Sequence, residues 1–339
     1  MNRVCEILGI TKPVVQAPMT WITNPEMVAA VSNAGGLGVL GFNGGFETGR
    51  ATPGETAEEM RKVIRKTKSL TDKPFGMNVM TAAFDGAGFS RATIQVCKEE
   101  GVPVLVAIGA LDAGQVKEWK EAGFKVIYRD MFPTVASAKA AETAGVDILV
   151  ATGCDEGGGM PMEATGTIVK TALMVDAVSI PVLAAGGIVN EAMAKASVCV
   201  GAEGAYAGTR FVMSKECRAA QTTKEDILAT GADELIVLTE ADGYLKWRCT
   251  PHKVAKEAIE QNQKGNLKPS TGSFFAGMLM GDMEAGISTV SSAASLIKSI
   301  DSCEDIVNEL ARGYGCCGGT TCISPEPYTE TPTGRPGRF

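Results

Sequence analysis

The fold of this chain is decided by the stretch Ala184-Ala185-Gly186-Gly187-Ile188, together with Gly208-Thr209-Arg210-Phe211 further along the sequence. Each stretch closes a short apolar run, at residues 181–185 and 204–207, with a corner of small residues. Small residues let a ligand approach the backbone, and the helix predicted after each corner offers free N–H groups to an anion. Two such corners at the carboxyl ends of adjacent strands predict the phosphate site that barrel enzymes build after strands seven and eight. The alternative interpretation is two tight turns without a ligand.

Outward from these corners, short apolar runs alternate with helical patterns along the chain before Phe211. The runs are continuous rather than alternating, which is typical of strands buried on both faces of a parallel sheet. Eight βα units predict an α/β fold, a closed (β/α)8 TIM barrel with its site at the carboxyl ends of the strands. A doubly wound open sheet is the alternative, but its glycine-rich dinucleotide fingerprint after the first strand is absent. The predicted strands lie at residues 14–19, 37–40, 75–80, 102–108, 125–130, 147–151, 181–185 and 204–207.

After Phe211 the pattern changes, and we divide the chain accordingly. Residues 1–215 form the barrel, and residues 216–272 form a small cap or insert with a helix over 215–230 and a strand over 234–240. Residues 273–314 are predicted to be helical, broken at glycines, and to return to the barrel. The proline-rich tail, residues 315–339, is predicted to run over the surface without regular structure.

The composition limits the function. The 339 residues carry a net charge of −7 with pI near 5.1, which argues against nucleic acid or an anionic membrane as partner. No apolar run is long enough to span a bilayer, and no signal peptide precedes the first predicted strand. The ten cysteines mostly stand singly, as reduced thiols in a cytoplasmic protein do. We therefore expect a cytoplasmic protein with a small-molecule substrate, and leave open whether it forms a homodimer.

The cysteines of the tail, Cys316, Cys317 and Cys322, are the one group in the sequence that resembles a metal site. Three thiols without a fourth nearby ligand fall short of a closed zinc or iron–sulfur site. We predict no metal.

Five sequence motifs together resemble those of one enzyme family, the nitronate monooxygenases (2-nitropropane dioxygenases), and the closely related flavin-dependent enoyl-acyl carrier protein reductases. The resemblance covers residues 3–215 well and the last third of the chain loosely. The motifs are Gln16-Ala17-Pro18-Met19, Asn33-Ala34-Gly35-Gly36-Leu37-Gly38, Thr71-Asp72-Lys73-Pro74-Phe75-Gly76-Met77-Asn78, Ala184-Ala185-Gly186-Gly187-Ile188 and Gly208-Thr209-Arg210-Phe211.

The resemblance implies FMN at the barrel mouth, with its phosphate on the backbone of the two glycine corners. The implied phosphate contacts are Gly186, Gly187, Gly208 and Thr209. The implied contacts to the ring and ribityl chain are Ala17, Pro18, Met19 and Asn78, to which we add Thr152 and Gly158 of the sixth strand and its loop.

The loop after the sixth strand departs from the family pattern. Both branches carry Glu-Gly-x-Glu-Ala-Gly-Gly-His there, and the histidine is their usual catalytic or substrate-contacting group. In this chain Thr152 and Asp155 replace the two acids, and Gly159 stands at the histidine position. A nitronate is already an anion and needs little basic help, whereas a neutral nitroalkane needs a base to remove its α-proton. The chain's one histidine is His252, in the predicted cap.

Three side chains at strand ends are candidates for catalysis. Cys154 and Asp155 follow the sixth strand, where a thiol or carboxylate could relay a proton; the alternative is that Asp155 binds loop amides. Asp130 follows Arg129 at the end of the fifth strand, and strand alternation lets only one of the two face the mouth. An internal ion pair is the alternative there.

Three functions remain open. The first is an FMN-dependent oxidoreductase of the nitronate monooxygenase type, in which the flavin oxidises a small nitronate-like carbanion. The second is an NAD(P)H-dependent FMN reductase of enoyl thioesters or other conjugated acceptors. The sequence motif at residues 68–78 favours it. The third is a flavin-binding protein without turnover, in which loss of the histidine marks lost catalysis.

Overall fold

Parallel strands close into a barrel in the computed structural model, which describes residues 2–160, 163–239, 246–266 and 274–315. Eight strands follow the order β1-β9-β8-β6-β5-β4-β3-β2, and a parallel bridge between Val15 and Leu37 closes the ring. The predicted TIM barrel is confirmed. Its strands are β1 (Val14–Gln16), β2 (Gly38–Leu40), β3 (Phe75–Met80), β4 (Val104–Ile108), β5 (Lys125–Arg129), β6 (Ile148–Thr152), β8 (Val182–Ala185) and β9 (Gly204–Ala207); β7 belongs to the small sheet described below.

Several of the helices between the strands start at side-chain caps that the sequence provides. Asn24 accepts the amide of Met27, and Thr52 forms a reciprocal capping box with Glu55. The helices are α1 (Arg3–Leu8), α2 (Pro25–Asn33), α3 (Pro53–Leu70), α4 (Phe89–Glu100), α5 (Ala113–Glu121), α6 (Val135–Ala144), α7 (Thr167–Ala177), α8 (Glu191–Cys199), α9 (Thr209–Val212), α10 (Gln221–Ala229), α11 (Lys253–Gln263) and α12 (Cys303–Gly313). Every helix of the described chain is too short or too polar to cross a membrane.

The lower end of the barrel is filled. Val4, Cys5 and Leu8 of α1 share one apolar cluster with inward-facing strand residues such as Val106 and Val150. Because α1 closes the amino ends of the strands, the open space inside the fold lies at their carboxyl ends.

A second, antiparallel sheet covers part of this upper end. It joins β7 (Gly159–Met160), β10 (Ile236–Thr239) and β11 (Lys246–Cys249), with Trp247 opposite Gly159. The cap is thereby tied to the loop after β6. The predicted strand over 234–240 corresponds to β10, but the predicted helix over 215–230 begins only at Gln221, because the chain at Lys215 instead bonds to the carbonyl of Asp301.

The predicted helical stretch over 273–314 is largely irregular. It contains a π-helical turn, Phe275–Leu279, and a 3-10 turn, Ala294–Leu296, before α12. Gly277 and Gly286 cross so closely that a methyl group on Gly286 would lie 2.0 Å from the Gly277 amide nitrogen, which prevents a continuous helix. Helix α12 does return to the barrel and contacts α8 and α2. The division into domains stays a prediction, and the tail cysteines lie outside the described residues.

Candidate active site

A cavity of about 430 Å³ opens at the carboxyl ends of the barrel strands. All ten residues assigned to FMN from the sequence line it, although they come from five strand ends of the barrel. Its volume lies in the range of small-molecule and cofactor sites. The residues are Ala17, Pro18, Met19, Asn78, Thr152, Gly158, Gly186, Gly187, Gly208 and Thr209.

The two glycine corners differ in why they need glycine. Gly186 has φ +104°, and a methyl group there would lie 2.5 Å from Oγ1 of Thr167, so the turn itself requires glycine. Gly208 has φ −106°, which any residue adopts, and a methyl group there would meet its nearest neighbour, Cβ of Ala17, at 3.7 Å. The backbone conformation at Gly208 therefore does not require glycine, and the effect of having no side chain there is to leave space in the cavity.

A buried ion pair forms part of the cavity wall. Arg129, at the end of β5, donates from Nη2 to Oε2 of Glu156 and from Nε to Oγ1 of Thr152, 3.2 Å away. The two charged residues are 7% and 8% exposed. Oε1 of Glu156 has no hydrogen-bond partner among the described residues. Burial raises the pKa of the Glu156 carboxyl, and the attraction of Arg129 offsets only part of that increase.

The three catalytic candidates from the sequence lie outside the residues that line the cavity. Asp155 accepts the amide of Thr167 at 2.7 Å and the hydroxyl of Ser292 at 3.1 Å, so it ties its loop to α7 and to the C-terminal segment. Cys154 is partly buried, which raises the pKa of its thiol. Asp130 accepts the amide of Phe132 at 3.0 Å. Their catalytic roles stay predictions.

The histidine of the chain is also placed away from the cavity. His252 lies within the cap, with its Nε2 2.7 Å from Oδ2 of Asp226. The position of the family histidine is occupied by Gly159, which lines the cavity without a side chain and pairs with Trp247.

The mouth of the cavity is apolar. Trp247 and Phe274 meet edge to face with ring centroids 5.0 Å apart, and Phe84 remains 49% exposed at the rim. Sequence reasoning placed none of these side chains at the site, because they come from the cap, from the C-terminal segment and from loops. The large apolar residues of the wall are Phe42, Met80, Phe84, Met131, Trp247, Phe274 and Met278.

Comparison with known proteins identifies the family of this chain. The family model described as nitronate monooxygenase matches residues 1–313. The chain belongs to the nitronate monooxygenase family. A nitronate monooxygenase of Paraburkholderia phytofirmans is 32% identical over 253 residues, which cover 62% of this chain and 66% of that protein.

Two further relatives of this chain are a CoA-ester dehydrogenase and an enoyl-ACP reductase. (3aS,4S,5R,7aS)-5-hydroxy-7a-methyl-1-oxo-octahydro-1H-indene-4-carboxyl-CoA dehydrogenase of Mycobacterium tuberculosis is 34% identical over 271 residues, covering 77% of this chain and 68% of that protein. The solved structure of FabK, an enoyl-ACP reductase, from Thermotoga maritima superimposes with a TM-score of 0.81 at 31% identity, covering 93% and 96% of the two chains. These relatives are all oxidoreductases, and so is this chain. The family implies a flavin.

Proposed function

We propose that this protein is an FMN-dependent oxidoreductase that exchanges a hydride with carboxylic thioesters conjugated to a carbon–carbon double bond. The observation that carries the proposal is the low polarity of the cavity wall. Among the described lining residues, Arg129 is the single cation, and it is already paired with Glu156. The rest of the wall is mostly apolar, which favours a neutral acyl group over a free anion.

The residues present fit FMN. Gly208 has no side chain, and the space that an added methyl group would fill lies beside Thr209, the first residue of α9. This space leaves room for a phosphate group at the start of the helix. Apolar Ala17, Pro18 and Met19 and the polar Asn78 offer a mixed wall for a ring system. Bound FMN supplies or accepts the hydride.

The named thioester relatives support this substrate class. The dehydrogenase acts on a carboxyl-CoA compound, and FabK reduces an enoyl group carried on acyl carrier protein. An apolar rim that includes the half-exposed Phe84 suits the acyl part of such a substrate. NADH or NADPH is the reductant that an enoyl reductase of this kind uses.

Nitronate oxidation is the second candidate, favoured by the match to the family model over residues 1–313. It needs no general base, so the glycine at position 159 does not exclude it. It does require an anion to bind in a mostly apolar wall, where the one cation among the described lining residues already donates to Glu156 and Thr152, which is why we rank it second.

The test is anaerobic mixing of the FMN-loaded protein, followed by flavin absorbance. We expect NADH or NADPH to reduce the flavin and an enoyl-CoA to reoxidise it. Reduction of the flavin by propionate 3-nitronate, with no response to either nucleotide, would establish the nitronate reaction instead. A flavin that is bound but reduced by none of these compounds would leave a binding protein without turnover.

A further inference from the structure

We infer that Glu156 is the catalytic acid–base residue of this cavity and that Arg129 and Thr152 are its positioning residues. The inference rests on the proposed function, because it assigns the proton that accompanies hydride exchange with a thioester. It places this role one residue after Asp155, at a position where the family pattern has alanine.

The first support is geometric. Glu156 lines the cavity while more than nine tenths of its surface is buried. Arg129 holds Oε2, which leaves Oε1 as a buried charged-group oxygen without a partner among the described residues. A buried carboxylate oxygen without a partner is costly, so the enclosed Oε1 favours the protonated form of the carboxyl group.

The second support is the way the loop is held. The amide of Glu156 bonds to the carbonyl of Gly153 at 3.2 Å, and its own carbonyl accepts Nη1 of Arg248 at 2.9 Å. A methyl group on Gly158 would lie 3.1 Å from Oε2 of Glu156, so the glycines after it make room for the carboxyl group. The side chain is therefore fixed from both its backbone and its tip, as a preorganised catalytic group must be.

The charged and titratable groups around Glu156 come from three strands and from its own loop. Arg129 on β5 and Arg248 on β11 favour its ionised form, whereas burial favours the protonated form. Tyr206 on β9 lies beside the pair, and burial raises the pKa of its hydroxyl, so it keeps its proton. On the same loop, Asp155 accepts from Thr167 and Ser292, and Cys154 is near enough for Glu156 to contribute to the raised pKa of its thiol, after the larger effects of burial and Asp155. Because burial outweighs the two arginines, the carboxyl group can hold a proton at higher pH than an exposed glutamate does.

The proposed step balances as follows. In the reductive direction, the hydride adds to the β-carbon of the conjugated thioester, and the electron pair of the double bond moves to the α-carbon. A new C–H bond forms at the α-carbon as the O–H bond of protonated Glu156 breaks. The carboxylate that results lies against the Arg129 guanidinium, which stabilises its charge. The substrate is reduced by two electrons, and NADH or NADPH, through the flavin, is oxidised.

The experiment compares Glu156→Gln with Glu203→Gln. Glu203 is also buried and paired with an arginine, Arg3, but it precedes β9 at the closed end of the barrel. We expect Glu156→Gln to lower kcat with an enoyl-CoA by roughly 10²-fold or more and to flatten its pH profile, while flavin reduction by nucleotide falls far less. Glu203→Gln is expected to keep the wild-type kcat and pH profile. Arg129→Lys is expected to retain part of kcat and to move the pH profile.

A measurement without substrate tests the same residue independently. The infrared carbonyl band of a protonated carboxyl group, followed with pH in the flavin-free protein, is expected in the wild type and in Glu203→Gln and to be missing in Glu156→Gln. An unchanged kcat and pH profile in Glu156→Gln, or a band that this substitution leaves intact, would overturn the inference while the proposed function stands. A wild-type protein that turns over no thioester would instead remove the proposed function, and the step assigned to Glu156 with it.

Discussion

A buried glutamate paired with an arginine lies at each end of the barrel, and the two pairs differ in how fully the carboxyl oxygens are bonded and in how exposed the arginine is. At the closed end both carboxyl oxygens of Glu203 accept Nε of Arg3, at 3.1 and 2.9 Å, and Asn2 bonds to the Glu203 carbonyl at 2.7 Å. At the open end Oε1 of Glu156 has no partner among the described residues. The two glutamates are 5% and 8% exposed, so burial does not distinguish them.

The two pairs also differ in their surroundings. The lower pair joins α1 to the start of β9, and Arg3 remains half exposed to solvent. The side chains of the upper pair are only 8% and 10% exposed, and the pair borders the cavity of about 430 Å³. Where both carboxyl oxygens are bonded, the ionised form is stabilised; where one buried oxygen has no partner, as in Glu156, the protonated form is favoured.

Removing the arginine from each pair gives the largest expected difference. Arg129→Met leaves an uncompensated buried carboxyl group, and we expect it to lower the free energy of unfolding by about 3–5 kcal/mol at neutral pH. Arg3→Met should cost about 1 kcal/mol or less, because water reaches the half-exposed site. Urea unfolding of the two flavin-free variants checks this. Equal losses would mean that solvent reaches both pairs equally.

The two glycine corners allow a test of the open end itself. Gly208→Ala is expected to weaken FMN binding roughly tenfold, the effect of losing one hydrogen bond to a charged group, with unchanged protein stability. Gly186→Ala is the matched variant: its φ of +104° and the contact with Thr167 predict a loss of about 1–3 kcal/mol in the free energy of unfolding. Flavin fluorescence titration and thermal unfolding separate the two effects. Tight FMN binding by Gly208→Ala would exclude a phosphate close to that carbon.

The pH dependence of stability sharpens the comparison further. The pKa of Glu156 is raised in the folded protein, so the folded state favours the protonated carboxyl group. Its stabilising contribution is present below the unfolded-state pKa and is lost as the pH rises through the folded-state pKa. We therefore expect the wild type to lose stability relative to Glu156→Gln as the pH rises above the ordinary glutamate range. A pH-independent difference between them, measured by urea unfolding, would contradict the raised pKa.

The position of the site at the open end could be predicted from the sequence, because glycine corners in the backbone mark it. Gly186 and Gly208 mark strand ends whatever their neighbours are, and in a parallel barrel all strand ends meet at one face. The side chains that give the cavity its chemistry were harder to predict. In the loop after β6, no periodicity fixes side-chain direction, so Asp155 and Glu156 are equivalent in sequence. Arg248 on β11 bonds to the carbonyls of Cys154 and Glu156, and Arg129 on β5 binds the Glu156 carboxyl group, so the position of Glu156 depends on partners that are distant in sequence.

The smallest expected effect belongs to Asp155, the neighbour of Glu156. Its carboxylate accepts the first amide of α7, as a helix-capping residue does, and also accepts the hydroxyl of Ser292. The two bonds use different carboxylate oxygens, so Asp155→Asn keeps one acceptor and loses the other together with the charge at the helix start. We expect it to lower the free energy of unfolding by about 1 kcal/mol. Its effect on turnover should be much smaller than that of Glu156→Gln. Thermal unfolding and steady-state kinetics of both variants test this prediction. A roughly 10²-fold loss of kcat in Asp155→Asn, with FMN bound and stability intact, would show that Asp155, the residue that the sequence pattern favours, is the catalytic one.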